Sequence, residues 1–319
     1  MTSEAQREID ERTNLTSSNK FELLLFRLGK DAHGDKSELF GINVFKVREI
    51  VEMPKITAII GAAKGVLGVV NLRGQVIQVI DLPFIVGCQP VTGLNIMLVA
   101  EFARHTIAFA VEAVEEIVRL DWTQVLAAEG NAASGMVTSI ARLDGDVDNT
   151  RLVQVLDVEA IQRRVSPTPD QEVNPGTIGP SLNLRPGSVV LAADDSPMAR
   201  TLMEKSLEAM GAPFVMTRSG KEAWETLQRI EADARKEGLT IRDKVALVLT
   251  DLEMPEMDGF TLTRNIKQDV RFSGLPVVIH SSLSGTTNED HVKSVGADAY
   301  VAKFAPAELA QVLRSVMSR

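Results

Sequence analysis

Apolar residues recur along this chain in two different rhythms, and the change falls about halfway. Between residues 21 and 165 the apolar runs are short and are separated by turn-forming residues at intervals of about 8 to 12. They occupy 21–26, 39–43, 47–51, 96–100, 106–111, 135–140 and 151–156. Residues 66–82 read as two further strands joined by a tight Arg73-Gly74 connection. Many short strands in succession predict an all-β sandwich or barrel. Residues 157–164 then close the segment as a short helix. Ahead of it, residues 1–20 mix Glu, Arg, Asp and Asn with no apolar period, as a solvated arm or one exposed helix would.

The two rhythms meet in residues 166–187, which hold five of the chain's 13 prolines. That is too many for a packed element, and such segments act as extended, semi-rigid spacers. We therefore expect a linker between domains at 21–165 and 188–319. Beyond it, strands at 188–193, 213–216, 245–250, 276–280 and 299–302 alternate with helices at 197–210, 221–236, from about 260, and at 305–317. The unbroken apolar run 245–250 suits a central strand covered on both faces. Five strand–helix repeats predict an α/β doubly wound, five-stranded parallel sheet with right-handed crossovers, a flavodoxin-like architecture.

Composition narrows the function. The formal charge of −9 and the 4% aromatic content leave no footprint for nucleic acid. One cysteine, Cys88, excludes an internal disulfide and suits a reducing compartment. The polar start has no signal-peptide pattern, and no apolar run approaches the roughly 20 residues needed to span a bilayer. The expectation is a cytoplasmic protein with no direct membrane insertion. His33 and His105 have no partner at ligand spacing and read as surface residues. Asp144, Asp146 and Asp148 lack the turn glycine and distal Glu of a Ca²⁺ loop, so a hairpin turn is expected there.

The chemistry gathers where the C-terminal strands end. The first ends in Asp194-Asp195, the third in Asp251, the fourth in Ser281-Ser282 and the fifth in Lys303. With strand order 2-1-3-4-5 these residues meet at one edge of the sheet, near its switch point. Asp251 alone could be a turn-initiating residue, and Asp195-Ser196-Pro197 also reads as a helix start with Ser196 as cap. Three carboxylates together would repel one another, and a hard divalent cation such as Mg²⁺ relieves this. The lysine and a hydroxyl complete a site for an anionic group.

Residues 194–198, 250–259, 275–281 and 296–303 closely resemble the response-regulator receiver domain, over about 188–319. The resemblance implies that Asp251 is the phosphoacceptor. It also implies that Asp194, Asp195, Asp251 and the Glu253 backbone carbonyl bind Mg²⁺. Ser281 would be the switch hydroxyl, Lys303 the phosphoryl-gripping cation and Tyr300 the switch aromatic. Two residues depart from the pattern. Phe304 stands where receivers usually carry a proline, often cis, and Glu253 is acidic.

Residues 40–50 and 68–82 look like the CheW coupling domain, over about 21–165. That family folds as two small β-barrels and bridges chemoreceptor tips to the CheA histidine kinase. The match makes Glu49 and Arg73 candidate partner contacts, with Asn71 and Gly74 shaping the turn; a structural Arg–Glu pair on an ordinary hairpin is the alternative. The two domains in this order resemble the CheV-type layout. It implies a chemotaxis adaptor phosphorylated at Asp251, with CheA, chemoreceptor tips and possibly CheW as partners. It would be no enzyme beyond accepting and losing its own phosphoryl group. A phosphate sink for CheA is the alternative.

Overall fold

The computed structural model describes residues 20–31, 36–102, 105–127, 135–144, 150–165, 175–282, 295–303 and 305–318. The chain divides into two compact units, Met1–Thr168 and Pro169–Arg319.

In the first unit, strand β1 (Lys20–Asp31) is apolar on both sides because both sides are covered. Phe21, Leu23 and Leu25 enter one core with Leu39, Leu120, Trp122 and Val153. Leu24, Phe26 and Leu28 enter another with Phe40, Ile42, Ile80, Leu98 and Phe109. Strands β2 (Ser37–Asn43), β3 (Val47–Glu52), β4 (Val66–Leu72) and β5 (Gln75–Asp81) follow, then helix α1 (Leu82–Val86) and the short β6 (Cys88–Gln89). Next come β7 (Ile96–Phe102), β8 (His105–Val111), β9 (Ala113–Asp121), β10 (Val125–Ala127), β11 (Val137–Arg142), β12 (Leu152–Leu156) and helix α2 (Val158–Val165).

These strands form two mixed sheets. The larger runs β10-β11-β12-β2-β1-β6, with β9 also beside β1; the smaller runs β3-β7-β8-β5-β4. A 3-10 turn, Trp122–Gln124, takes β9 directly into β10 at the far end of its own sheet, so that sheet wraps round. In the smaller sheet, the chain leaving β3 reaches the opposite edge, where Thr57 and Val69 exchange backbone hydrogen bonds of 2.8 Å. This closes the sheet around Val70, Ile77, Val79, Met97, Val99, Ala108 and Ala110.

Strand β9 is absent from the sequence-based expectation, and its geometry explains why. Leu24 faces Ile117 and Phe26 faces Val114, so β9 spends an extra residue opposite Leu25. That bulge carries Glu115 and Glu116 outward and breaks the alternation that would mark a strand.

In the second unit, strands β13 (Val189–Ala193), β14 (Phe214–Thr217), β15 (Val245–Thr250), β16 (Val277–Ser281) and β17 (Ala299–Ala302) make one parallel sheet of order β14-β13-β15-β16-β17. This is the expected 2-1-3-4-5 order. Residues Val190, Ala192, Leu247, Leu249 and Val301 pack on helices α4 (Pro197–Ala209) and α8 (Pro306–Met317). On the other face, Leu191, Ala193, Val248 and Val277 pack on α5 (Gly220–Lys236) and α7 (Gly259–Gln268). The long stretch before β15 forms a short capped helix, α6 (Ile241–Lys244), which places Ile241 in this core.

The proline-rich segment departs from an extended spacer. Within it, helix α3 (Pro175–Ile178) begins at a proline, where the missing N–H costs nothing. Ile178 and Leu182 are buried in the same core as α4 and α8. Proline content argued against packing, but here packing rests on the apolar residues between the prolines. Residues 1–19, His33, Asp146, Asp148, the side chain of His105 and the Lys303–Phe304 bond lie outside the described residues. Among the described residues no helix is long and apolar enough to cross a membrane.

Candidate functional site

The switch point of the parallel sheet brings together the acidic ends of β13 and β15. Asp194 and Asp251 are both buried, and Asp195 is half-buried beside them. Their carboxylates each offer an oxygen within 4.8 Å of the others. The backbone holds this cluster firmly. The Asp251 amide donates to the Ala193 carbonyl at 2.9 Å, and the Leu252 amide donates to Asp251 Oδ1 at 2.7 Å. The Ser196 amide donates to Asp194 Oδ1 at 3.0 Å. Ser196 also caps α4 with Pro197 at its first position, so the helix-start and site readings of this segment both hold.

Lys303 reaches in from the end of β17. Its Nζ lies 2.8 Å from Asp194 Oδ2 and 2.8 Å from Asp251 Oδ2, so one ammonium bridges two buried carboxylates. Three carboxylates against one ammonium leave an excess of negative charge in a buried place. Burial first, and the neighbouring Asp251 charge after it, push the Asp194 carboxyl up to about 7, although Lys303 pulls the other way. A divalent cation fits this donor set, since hard oxygens converge and carry uncompensated charge.

The fourth strand supplies Ser281, fully buried. Its carbonyl accepts from the Lys303 amide at 3.0 Å and from Tyr300 Oη at 3.3 Å. Ser281, Tyr300 and Lys303 are thus tied together at the edge of the sheet. Glu253, two residues past Asp251, is half-buried in the following loop.

Two residues that sequence reasoning passed over, Arg200 and Gly220, shape the site together with Gly259, which falls in the receiver-like stretch 250–259. Arg200 Nη1 donates to the carbonyls of Asp194 and Asp195, at 2.9 and 2.7 Å, and so fixes the acidic turn from α4. Its position one turn into the helix was the available signal. Gly259 and Gly220 allow close backbone approaches: a Cβ at Gly259 would lie 2.0 Å from the Asp251 carbonyl, and one at Gly220 would lie 2.2 Å from the Met257 carbonyl. Together they let the loop after Asp251 fold tightly over the sheet edge.

In the first unit, Arg73 and Gly74 have φ of 52° and 86°, the left-handed pair of a tight hairpin turn. Asn71 Oδ1 accepts from the Gly74 amide at 2.9 Å, as expected of a turn-shaping residue. Arg73 is exposed, yet its Nη2 lies 2.9 Å from Oε2 of Glu49, whose side chain is only 4% exposed. Nearby, Arg48 Nη1 donates to Gln75 Oε1 at 3.2 Å. These pairs join β3 to the β4–β5 hairpin across the seam where few backbone bonds close the smaller sheet. Arg73→Ala would leave the Glu49 carboxylate buried without its cation. We expect a loss of about 1–3 kcal/mol in local stability, against about 0.5 kcal/mol for a plain surface residue. Hydrogen exchange of the β3, β4 and β5 amides in the full chain measures it, and unchanged exchange would leave the pair no structural role.

Comparison with known proteins covers both units. The CheW-like domain family model matches residues 22–166, and the response regulator receiver domain model matches residues 190–314. The chain is similar to chemotaxis protein CheV2 of Helicobacter pylori, 31% identical over 98% of this chain and 99% of that one. Among solved structures, the scaffolding protein TtCheW from Thermoanaerobacter tengcongensis is 24% identical, covering 43% of this chain and 89% of that one with a TM-score of 0.37. The chemotaxis response regulator CheY4 of Vibrio cholerae is 23% identical, covering 40% and 98%, with a TM-score of 0.35.

Proposed function

Because the chain belongs to the CheV-type chemotaxis proteins, adaptors that join a CheW-like domain to a response-regulator receiver domain, we propose that it is a coupling adaptor switched by phosphorylation of Asp251. The CheW-like domain docks with chemoreceptor tips and the CheA kinase, and the receiver accepts a phosphoryl group from CheA. The observation that carries this reading is the Lys303 bridge to Asp194 and Asp251 at the sheet's switch point.

The chemistry follows from the side chains. A carboxylate oxygen of Asp251 attacks the phosphorus of a phosphohistidine in line; the new O–P bond forms as the P–N bond breaks toward the imidazole. Lys303, already 2.8 Å from Asp251 Oδ2, is placed to hold an oxygen of the incoming group. Asp194, Asp195, Asp251 and the Glu253 backbone carbonyl would hold Mg²⁺, which when bound offsets charge on the phosphoryl oxygens. The acyl phosphate adds a charge of about −1.5 to −2. Lys303 then turns from Asp194 toward it, and Ser281 and Tyr300, bonded to the same carbonyl region, repack with it.

Asp194 gives this site a pH signature. A metal ligand must be deprotonated, so Mg²⁺ affinity should weaken below pH 7, approaching tenfold per pH unit as Asp194 takes up its proton. For stability the sign is the reverse. Asp194 binds a proton more tightly in the folded chain than in the unfolded one. Its contribution to the metal-free fold is therefore fullest below about pH 4 and is lost as pH rises toward 7. Mg²⁺ titrations at pH 6, 7 and 8 check the first point, about one pH unit either side of Asp194; an affinity independent of pH over this range would mean that Asp194 is already ionised throughout it.

In a phosphate sink the receiver would drain phosphoryl groups from CheA while the CheW-like domain only raised the local concentration. Kinase activity in receptor–CheA assemblies, with the chain phosphorylated or not, tests the reading. An adaptor changes that activity on phosphorylation, and a sink only consumes phosphoryl groups.

A further inference from the structure

The second half of the proline-rich segment lies on the receiver rather than leading up to it. Ile178 and Leu182 enter the core shared by α4 and α8, beside Leu207, Leu309 and Leu313. The Leu182 amide donates to the Met210 carbonyl at 2.9 Å, just past the end of α4. From α8, the two arms of the Arg314 guanidinium donate to the carbonyls of Ile178 and Pro180, at 2.8 Å each. A Cβ at Gly179, whose φ is +77°, would come within 3.2 Å of that guanidinium. One forked arginine thus holds the segment from outside while two apolar side chains hold it from within.

The helix that carries Arg314 starts three residues after Lys303. Twelve residues at about 1.5 Å rise make α8 a rod of about 18 Å. Its near end follows the ammonium that bridges Asp194 and Asp251, and its far end grips residues 178–182. A packed helix moves as a body rather than deforming.

We propose that residues 176–187 are a strap docked on the α4–α8 face of the receiver, through which α8 passes the state of the phosphoacceptor site into the chain leading to the CheW-like domain. This rests on Asp251 being the phosphoacceptor. When Lys303 turns from Asp194 toward a phosphoryl group, α8 shifts, and the Arg314 grip on the strap changes with it. The α4–α8 face is thereby taken by the chain's own residues and is closed to outside partners while the strap is seated.

Hydrogen exchange of the full chain tests this, with Mg²⁺ alone or with Mg²⁺ and beryllofluoride, which mimics an acyl phosphate. In the unaltered chain, exchange at the Leu182 amide should change about tenfold between the two conditions. Arg314→Met should leave beryllofluoride binding intact but remove that change, and Gly179→Ala, which crowds the guanidinium, should do the same. Leu182 exchange that is equal in both conditions overturns the strap, as does an unaltered response in Arg314→Met. If beryllofluoride fails to bind the unaltered chain, the phosphoacceptor reading falls, and the strap's role falls with it.

Discussion

Asp251→Asn is expected to abolish phosphoryl incorporation, by roughly a thousandfold or more, because a neutral carboxamide cannot act as the nucleophile. The same change removes one of the crowded carboxylates around Asp194. Without Mg²⁺, the variant should therefore melt no lower than the unaltered receiver, as often happens when a functional site gives up its strain. The CheW-like domain lies in the other compact unit, so its docking should persist. Radiolabel transfer from phosphorylated CheA, alongside thermal melting in chelator, measures both effects. Label appearing on the Asn variant at the unaltered rate would place the acceptor elsewhere.

Lys303→Met should do more damage to the fold. Methionine keeps an unbranched side chain in place but removes the ammonium lying 2.8 Å from both Asp194 and Asp251. Those carboxylates are 0% and 2% exposed, so neither can turn to water. Breaking such a buried arrangement by removing one partner costs about 3–5 kcal/mol. Protonation relieves it, so the loss should be larger at high pH than at low pH. Mg²⁺ should restore part of the stability, since it supplies the missing positive charge. Phosphoryl transfer should fall about a hundredfold even with Mg²⁺ present, because an oxygen of the incoming group loses its cation. Melting temperatures with and without Mg²⁺, at acid and alkaline pH, separate these effects. A variant that melts like the unaltered chain in chelator at high pH would mean the bridge supports nothing.

Most of the receiver was legible from its residues. Its inner strands β13, β15 and β16 are buried on both faces and therefore read as unbroken apolar runs, and its site residues stand where the strands stop. Arg200 and Gly220 were not, because their work is done on backbone carbonyls, and the one trace of it was the place of Arg200 one turn into its helix. The CheW-like domain was harder to read. The family likeness left Glu49 and Arg73 as either partner contacts or a structural pair, and the structure adds that Glu49 is buried and meets Arg73 across a seam created by the closed sheet. Strand β9 was hidden by its bulge. Residues 175–187 read as spacer because they hold three of that segment's five prolines, although Ile178 and Leu182 between them pack into the core.

The place of β1 has a consequence for the order in which this chain takes shape on the ribosome. Its two faces belong to different cores, and its edges pair with β2 on one side and with β9 on the other. Phe21 waits for Leu120 before it has a partner across that edge, and β2 waits for β12, which ends at Leu156. Neither core that β1 lines can close until almost the whole CheW-like domain has been synthesised. Contacts of such long range fold slowly, and a start such as Phe21–Phe26, apolar but for Glu22, stays open to other chains in the meantime. The receiver, emerging afterwards with a parallel sheet of its own, meets a first domain that has only just become able to fold.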